Sequence, residues 1–120
     1  MREQRTHLVL CSDGTRASRL LEEHPCWVAA HHWLVMPEAR DQGLIHRMIY
    51  ELKTEGVRPE HASLVRNMCS RYSVDFAVAG CTEFHLLSAG LTKRDGATAW
   101  IDPLTILAER ISQEMLGAAA

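Results

Sequence analysis

The feature that most constrains this chain is an alternation. Short apolar runs of strand length take turns with longer stretches of helical period. The runs are "THLVLC" (residues 6–11), "HWLVM" within 26–37, "VDFAVAG" (74–80) and "TAWI" (98–101). Between the first two, residues 15–23 read as a helix with Ala17, Leu20 and Leu21 on one face. Pro37 ends the second strand. A long helix is expected over 38–55, where Leu44, Ile45, Met48, Ile49 and Leu52 recur at helical spacing and Gly56 closes it. Pro59 opens another, with Leu64, Val65, Met68 and Cys69 as its apolar stripe. Thr82 to about Ala89 reads as a short helix ending at Gly90, and 90–97 as a loop. Asp102 and Pro103 suit the N-cap and first turn of a final helix whose apolar face is Leu104, Ile106, Leu107, Ile111 and Met115. Residues 117–120 read as a frayed tail.

Strands that alternate with helices need crossover connections, which make a parallel sheet. The expected fold is α/β: a four-stranded parallel doubly wound sheet with helices on both faces, in one domain over residues 1–120. An apolar fraction of 47% is enough for a core.

Composition excludes several classes of function. Thirteen basic and fifteen acidic residues leave a formal charge of −2, with no basic patch, so nucleic acid is not an expected partner. No apolar run approaches the roughly 18 residues of a membrane span. The first residues do not form a signal peptide, and the expected location is cytoplasmic. His31 and His32 are adjacent, but in a strand they would face opposite ways and make a poor chelate. The cysteines stand at 11, 26, 69 and 81, with no CxxC pair and no zinc spacing. No metal and no cofactor is expected. The four are read as free thiols, and Cys11, Cys26 and Cys69 as packing residues.

Cys81 is different, because it falls at the seam between a strand and a helix, in "VAGCTEFHLL" (78–87). In parallel sheets ligands bind at the carboxyl ends of strands. That rule brings "CSDGT" (11–15), "GCTE" (80–83) and "IDP" (101–103) to one rim. A helix N-terminus beside Cys81 would favour thiolate and lower its pKa. The backbone N–H groups near Thr82 and Glu83 can hold a carboxylate, and Gly80 leaves room for a ligand. Ser12 and Thr15 add hydroxyls on the neighbouring loop, and Gly14 allows a tight turn there. Ser12 or Asp13 can equally serve as a helix cap.

These segments carry a family resemblance. "VAGCTEFHLL" resembles the C-terminal cysteine motif of the aspartate/glutamate racemases, which work without pyridoxal phosphate. "LVLCSDGTRAS" resembles their strand and Gly-Thr loop, "VMPEARDQGLIHRMIYELKTEG" their Pro-acidic segment and Ile-Tyr helix, and "WIDPLTILAERI" their closing Asp-Pro helix. The four occur in order and cover residues 6–112. Glu83 brings the match closest to the aspartate branch, since the glutamate branch has His there. In place of the family's lysine, four residues after the Tyr, stands Thr54; Lys53 is three after Tyr50.

The resemblance implies a mechanism and an incompleteness. Two cysteines, one from each of two similar α/β domains, flank the substrate Cα. One thiolate takes the proton and the other thiol returns one to the opposite face. Cys81 would be one of the pair. Thr82 would help hold the substrate carboxylate with Thr15, and Glu83 would lie near the amino end. The first cysteine belongs to a Cys-Asn-Thr motif in an N-terminal half that this sequence lacks, so the likeness is to the C-terminal half alone. The implied ligand is a small acidic amino acid or another carboxylate, and the implied partner a missing N-terminal half or a second copy in a homodimer. The alternative is a catalytically inactive half-domain that binds a small carboxylate or a partner protein.

Overall fold

The fold is given by a computed structural model, which describes residues 6–91 and 99–119. Four strands form one sheet: β1 (His7–Leu10), β2 (Leu34–Val35), β3 (Phe76–Ala79) and β4 (Ala99–Ile101). All neighbouring strands are parallel and the order is β2-β1-β3-β4. The α/β class and the parallel four-stranded sheet are as the alternation predicts. β1 and β3 run in full register from His7 opposite Phe76 to Leu10 opposite Ala79. The His7 and Phe76 rings stack at 4.7 Å at the start of that pair.

The helices are α1 (Asp13–Ala17), α2 (Trp27–Ala30), α3 (Ala39–Thr54), α4 (Pro59–Arg71), α5 (Ser88–Leu91) and α6 (Pro103–Ala119), with 3₁₀ turns at His31–Trp33 and Thr82–Leu87. Leu8 and Leu10 of β1 are fully buried. Ile45, Met48, Ile49 and Leu52 of α3, Val65, Met68 and Cys69 of α4, and Phe84 and Leu87 pack in the same core. Each large apolar side chain so buried contributes about 1.5–3 kcal/mol.

Polar ties fix α3 against α4. Arg71 grips the buried Asp41 with two bonds of 3.0 and 2.8 Å, and Tyr72 donates to it at 2.6 Å. The guanidinium bond holds the Asp41 carboxyl below the usual range, against the upward push of burial. At the other end the buried His61 accepts the Arg58 N–H at 3.0 Å, while Arg58 pairs with Glu51 at 3.1 Å.

Several expectations change. The helix read over 15–23 stops at Ala17, because Ser18 closes it and Arg19 turns to a left-handed φ of 56°. The second strand shrinks to Leu34–Val35; His31 and His32 lie in a 3₁₀ turn with rings 3.9 Å apart, not on opposite faces of a strand. Cys26 is exposed rather than packed, whereas Cys11 and Cys69 are buried. The helix expected to end at Gly90 runs to Leu91, and most of the expected loop, 92–97, lies outside the described residues. α6 continues through Gly117 to Ala119, where the sequence reads as frayed.

The final helix, α6, forms where expected and leaves its apolar face exposed. Leu104, Leu107, Ile111 and Met115 follow one another at three- and four-residue steps, as a core stripe does. Yet they stay 39%, 55%, 52% and 68% exposed. The spacing is as expected, and among the described residues no surface covers this row.

Candidate functional site

The strand order fixes where a site belongs. From β1 the chain crosses to β2 on one side, then returns to place β3 on the other side of β1. This reversal is a topological switch point, and a crevice forms there outside the carboxyl ends. The two loops that leave it are those of Cys11–Asp13 and Gly80–Thr82.

Gly80 sets how tightly that point closes. Its N–H donates to the Leu10 carbonyl at 2.8 Å. A Cβ on residue 80 would lie 2.8 Å from that same oxygen and 3.1 Å from Cys11 Cβ. The glycine is thus required by the close approach of β1. It also places Cys11 and Cys81 close together at the two strand ends.

Cys81 caps the Thr82–Leu87 turn in extended conformation, at the end of β3, as the sequence predicts. Its thiol donates to Glu83 Oε2 at 2.9 Å, and the Thr82 hydroxyl donates to the same oxygen at 3.2 Å. A cleft of about 200 Å³ opens beside them, lined by Ala79–Thr82 and by Asp102, Pro103 and Leu104. The "GCTE" and "IDP" segments therefore meet in one cleft.

The electrostatics run opposite to the expectation. Burial pushes the Cys81 thiol up, and the Glu83 carboxylate beside it pushes in the same direction. Glu83 itself is lowered, first by the thiol that donates to it. The reason is local: the element after Cys81 is a single 3₁₀ segment of six residues, too short to build a strong field, and a carboxylate rather than a cation faces the sulfur. In this state Cys81 holds its proton.

The first loop resolves the capping alternative in favour of Ser12. Its Oγ accepts the Thr15 N–H at 3.2 Å and lies 3.1 Å from Thr15 Oγ1. Both hydroxyls are engaged with each other at the start of α1. Gly14 is not forced by space, since a Cβ there would make only an ordinary contact.

Two clusters on this rim escaped the sequence reading. Asp102 caps α6 through the Leu104 N–H at 3.0 Å, as expected, but also gathers Ser88 at 2.6 Å, Thr105 at 2.9 Å and His85 Nδ1. Trp100 in turn donates to Ser88 at 2.9 Å. Burial alone would raise the Asp102 carboxyl, yet the bonds from Ser88, His85, Thr105 and the Leu104 N–H bring it down to about 2. The signal was present: Thr82, His85 and Ser88 recur at the three-residue step of a 3₁₀ helix, not at the α-helical period. The second cluster joins Arg16, Gln42 and Asp13, from segments that no short-range pattern connects.

Among the described residues no group of three or more His, Cys, Asp or Glu side chains could hold a metal ion. No described helix is long and apolar enough to cross a membrane. No known protein family and no curated protein matches the chain.

Proposed function

We propose that this chain is a racemase-type half-domain, resembling the C-terminal half of the aspartate/glutamate racemases. It supplies one acid–base cysteine for cofactor-independent inversion at Cα of aspartate or a related acidic amino acid, in the cytoplasm. The observation that carries this reading is the setting of Cys81. Its thiol stands at the switch point, beside a small cleft, with an acceptor carboxylate at 2.9 Å. Because burial and Glu83 keep the thiol protonated, this half is the proton-delivering wall in its resting state. A thiolate on the opposite side removes the Cα proton, and the Cys81 Sγ–H bond breaks as the new Cα–H bond forms. For the reverse direction Cys81 gives up its proton, and Glu83 is the nearest acceptor.

The exposed apolar row of α6 supports the need for a second half or a second copy. It equally favours the alternative reading, a half-domain without catalysis that docks a partner protein. The two differ in one assay. Deuterium incorporation at Cα of aspartate is followed in heavy water, with the chain alone and with an added N-terminal racemase half. Exchange is expected only when a second thiol faces Cys81, and Cys81→Ser abolishes it. Absence of exchange in every assembly rejects the enzymatic reading.

A further inference from the structure

The structure holds an arginine whose partners do not explain it. Arg16 lies in the last turn of α1, the short helix that follows β1. Its Nη1 donates to the Pro37 carbonyl at 3.2 Å and to Gln42 Oε1 at 3.1 Å. Both acceptors are neutral. Among the described residues no carboxylate lies within ion-pair distance of it, although Asp13 is three residues away. Asp13 is instead taken by Gln42 at 3.0 Å and lies 3.7 Å from His46.

Gln42 is the built part of this arrangement. It is 8% exposed and every polar atom is used. Nε2 donates to the Cys11 carbonyl at 2.8 Å and to Asp13, while Oε1 receives Arg16. A buried amide bonded to the end of β1 thus holds the guanidinium on the same rim, between the Pro37 carbonyl and the loop that leaves β1. The chain of contacts from Arg16 through Gln42 and Cys11 ends beside Gly80 and Cys81. The charges of Arg16 and Cys81 both reach the Cys11 thiol, as do those of Glu22 and Asp13.

We infer that Arg16, positioned by Gln42, reads the second carboxylate of an acidic amino acid bound at the switch point. This rests on the proposed function for the identity of the reacting amino acid. A guanidinium whose Nη2 and Nε have no bond among the described residues is the group that meets a carboxylate with two parallel bonds. The nearby acids, Asp13 and Glu22, make the surroundings mixed in charge. A zwitterion, which brings its own ammonium group, suits them better than a simple dianion. The order of affinity is therefore aspartate, then succinate, then alanine.

The test is titration of the whole chain with these three ligands, by calorimetry or by amide shifts in NMR. Loss of a charge-assisted bond of this kind weakens binding roughly 10- to 100-fold. Arg16→Gln is expected to bring aspartate down to the level of alanine with little change in melting temperature, and Arg16→Lys to lie between. The inference is overturned if Arg16→Gln keeps the preference for aspartate, if aspartate and alanine fall together, or if the unaltered chain prefers neither. Should Arg16→Gln not fold, an undiminished preference in Arg16→Lys overturns it. The underlying reading fails separately. Aspartate binding that obeys Arg16, without Cys81-dependent exchange in any assembly, leaves this inference standing and removes the racemase. Exchange whose preference for aspartate ignores Arg16 does the opposite.

Discussion

Replacing Gly80 by Ala tests the geometry of the switch point directly. The added Cβ would sit 2.8 Å from the Leu10 carbonyl oxygen and 3.1 Å from Cys11 Cβ. The first obstacle is backbone, in a strand held on both edges, so it cannot swing aside as a side-chain end would. Relief requires β1 and β3 to part at their carboxyl ends. That weakens the 2.8 Å bond from the Gly80 N–H to the same oxygen, worth about 1 kcal/mol. Overpacking of this kind costs about 1–3 kcal/mol. Gly80 is not among the residues at positive φ, so Ala gains back about 0.4–1 kcal/mol by restricting the unfolded chain. The net expectation is a loss of about 2 kcal/mol. In urea this appears as a lower midpoint at unchanged slope, and on heating as a fall of about 8 °C. A midpoint equal to or above that of the unaltered chain refutes the close approach, and with it the argument that β1 dictates this glycine.

Further outcomes follow from the same structure. Asp102 has a folded pKa of about 2 against an ordinary 3.8, so its contribution is complete above pH 4 and is lost as pH falls through 2. Asp102→Asn should remove about 2 kcal/mol at pH 7 and flatten the acid limb of a stability–pH curve; an unchanged limb counts against the hub. In timed alkylation at neutral pH, exposed Cys26 should label before Cys81, and Cys11 and Cys69 only on unfolding. Glu83→Gln removes one cause of the raised Cys81 pKa and should speed its labelling about 3- to 10-fold; slower labelling sinks that account. Ile111→Glu, on the exposed row of α6, should change stability by less than about 0.5 kcal/mol yet abolish self-association in sedimentation. A chain that is monomeric at high concentration before the change removes the basis for that expectation.

The sequence was most legible where periodicity was long. α3 matches its predicted span and α4 its predicted start because Ile45, Met48, Ile49 and Leu52, and then Val65, Met68 and Cys69, repeat over several turns beside clear signals at Gly56 and Pro59. Cys81 at the end of β3 was legible from one apolar run and the glycine that closes it. Short elements were not. "HWLVM" has the composition of a strand, but backbone bonds from Trp27 onward wind its first residues into turns, leaving two for the sheet. The apolar face of α6 was legible from its spacing, but spacing does not say whether such a face is covered. The charge state of Cys81 was illegible because it depends on Glu83 folding back two residues, a choice made by side-chain torsions. Gln42 could not be linked to Arg16 and Cys11 without the tertiary structure, being 26 and 31 residues away from them.

The pairing of β1 with β3 has a kinetic side. Leu10 and Gly80 lie far apart in sequence, and closing so long a loop is entropically costly before any contact rewards it. β2 and α3 can organise around β1 earlier, because their partners lie nearer in sequence. Separation of these two strand ends is an opening event that hydrogen exchange can follow. The Gly80 amide, which lies on an exposed residue yet donates into the seam, becomes a reporter of that event. Its exchange with solvent deuterium measures how often the two strand ends separate, residue by residue, without any ligand present.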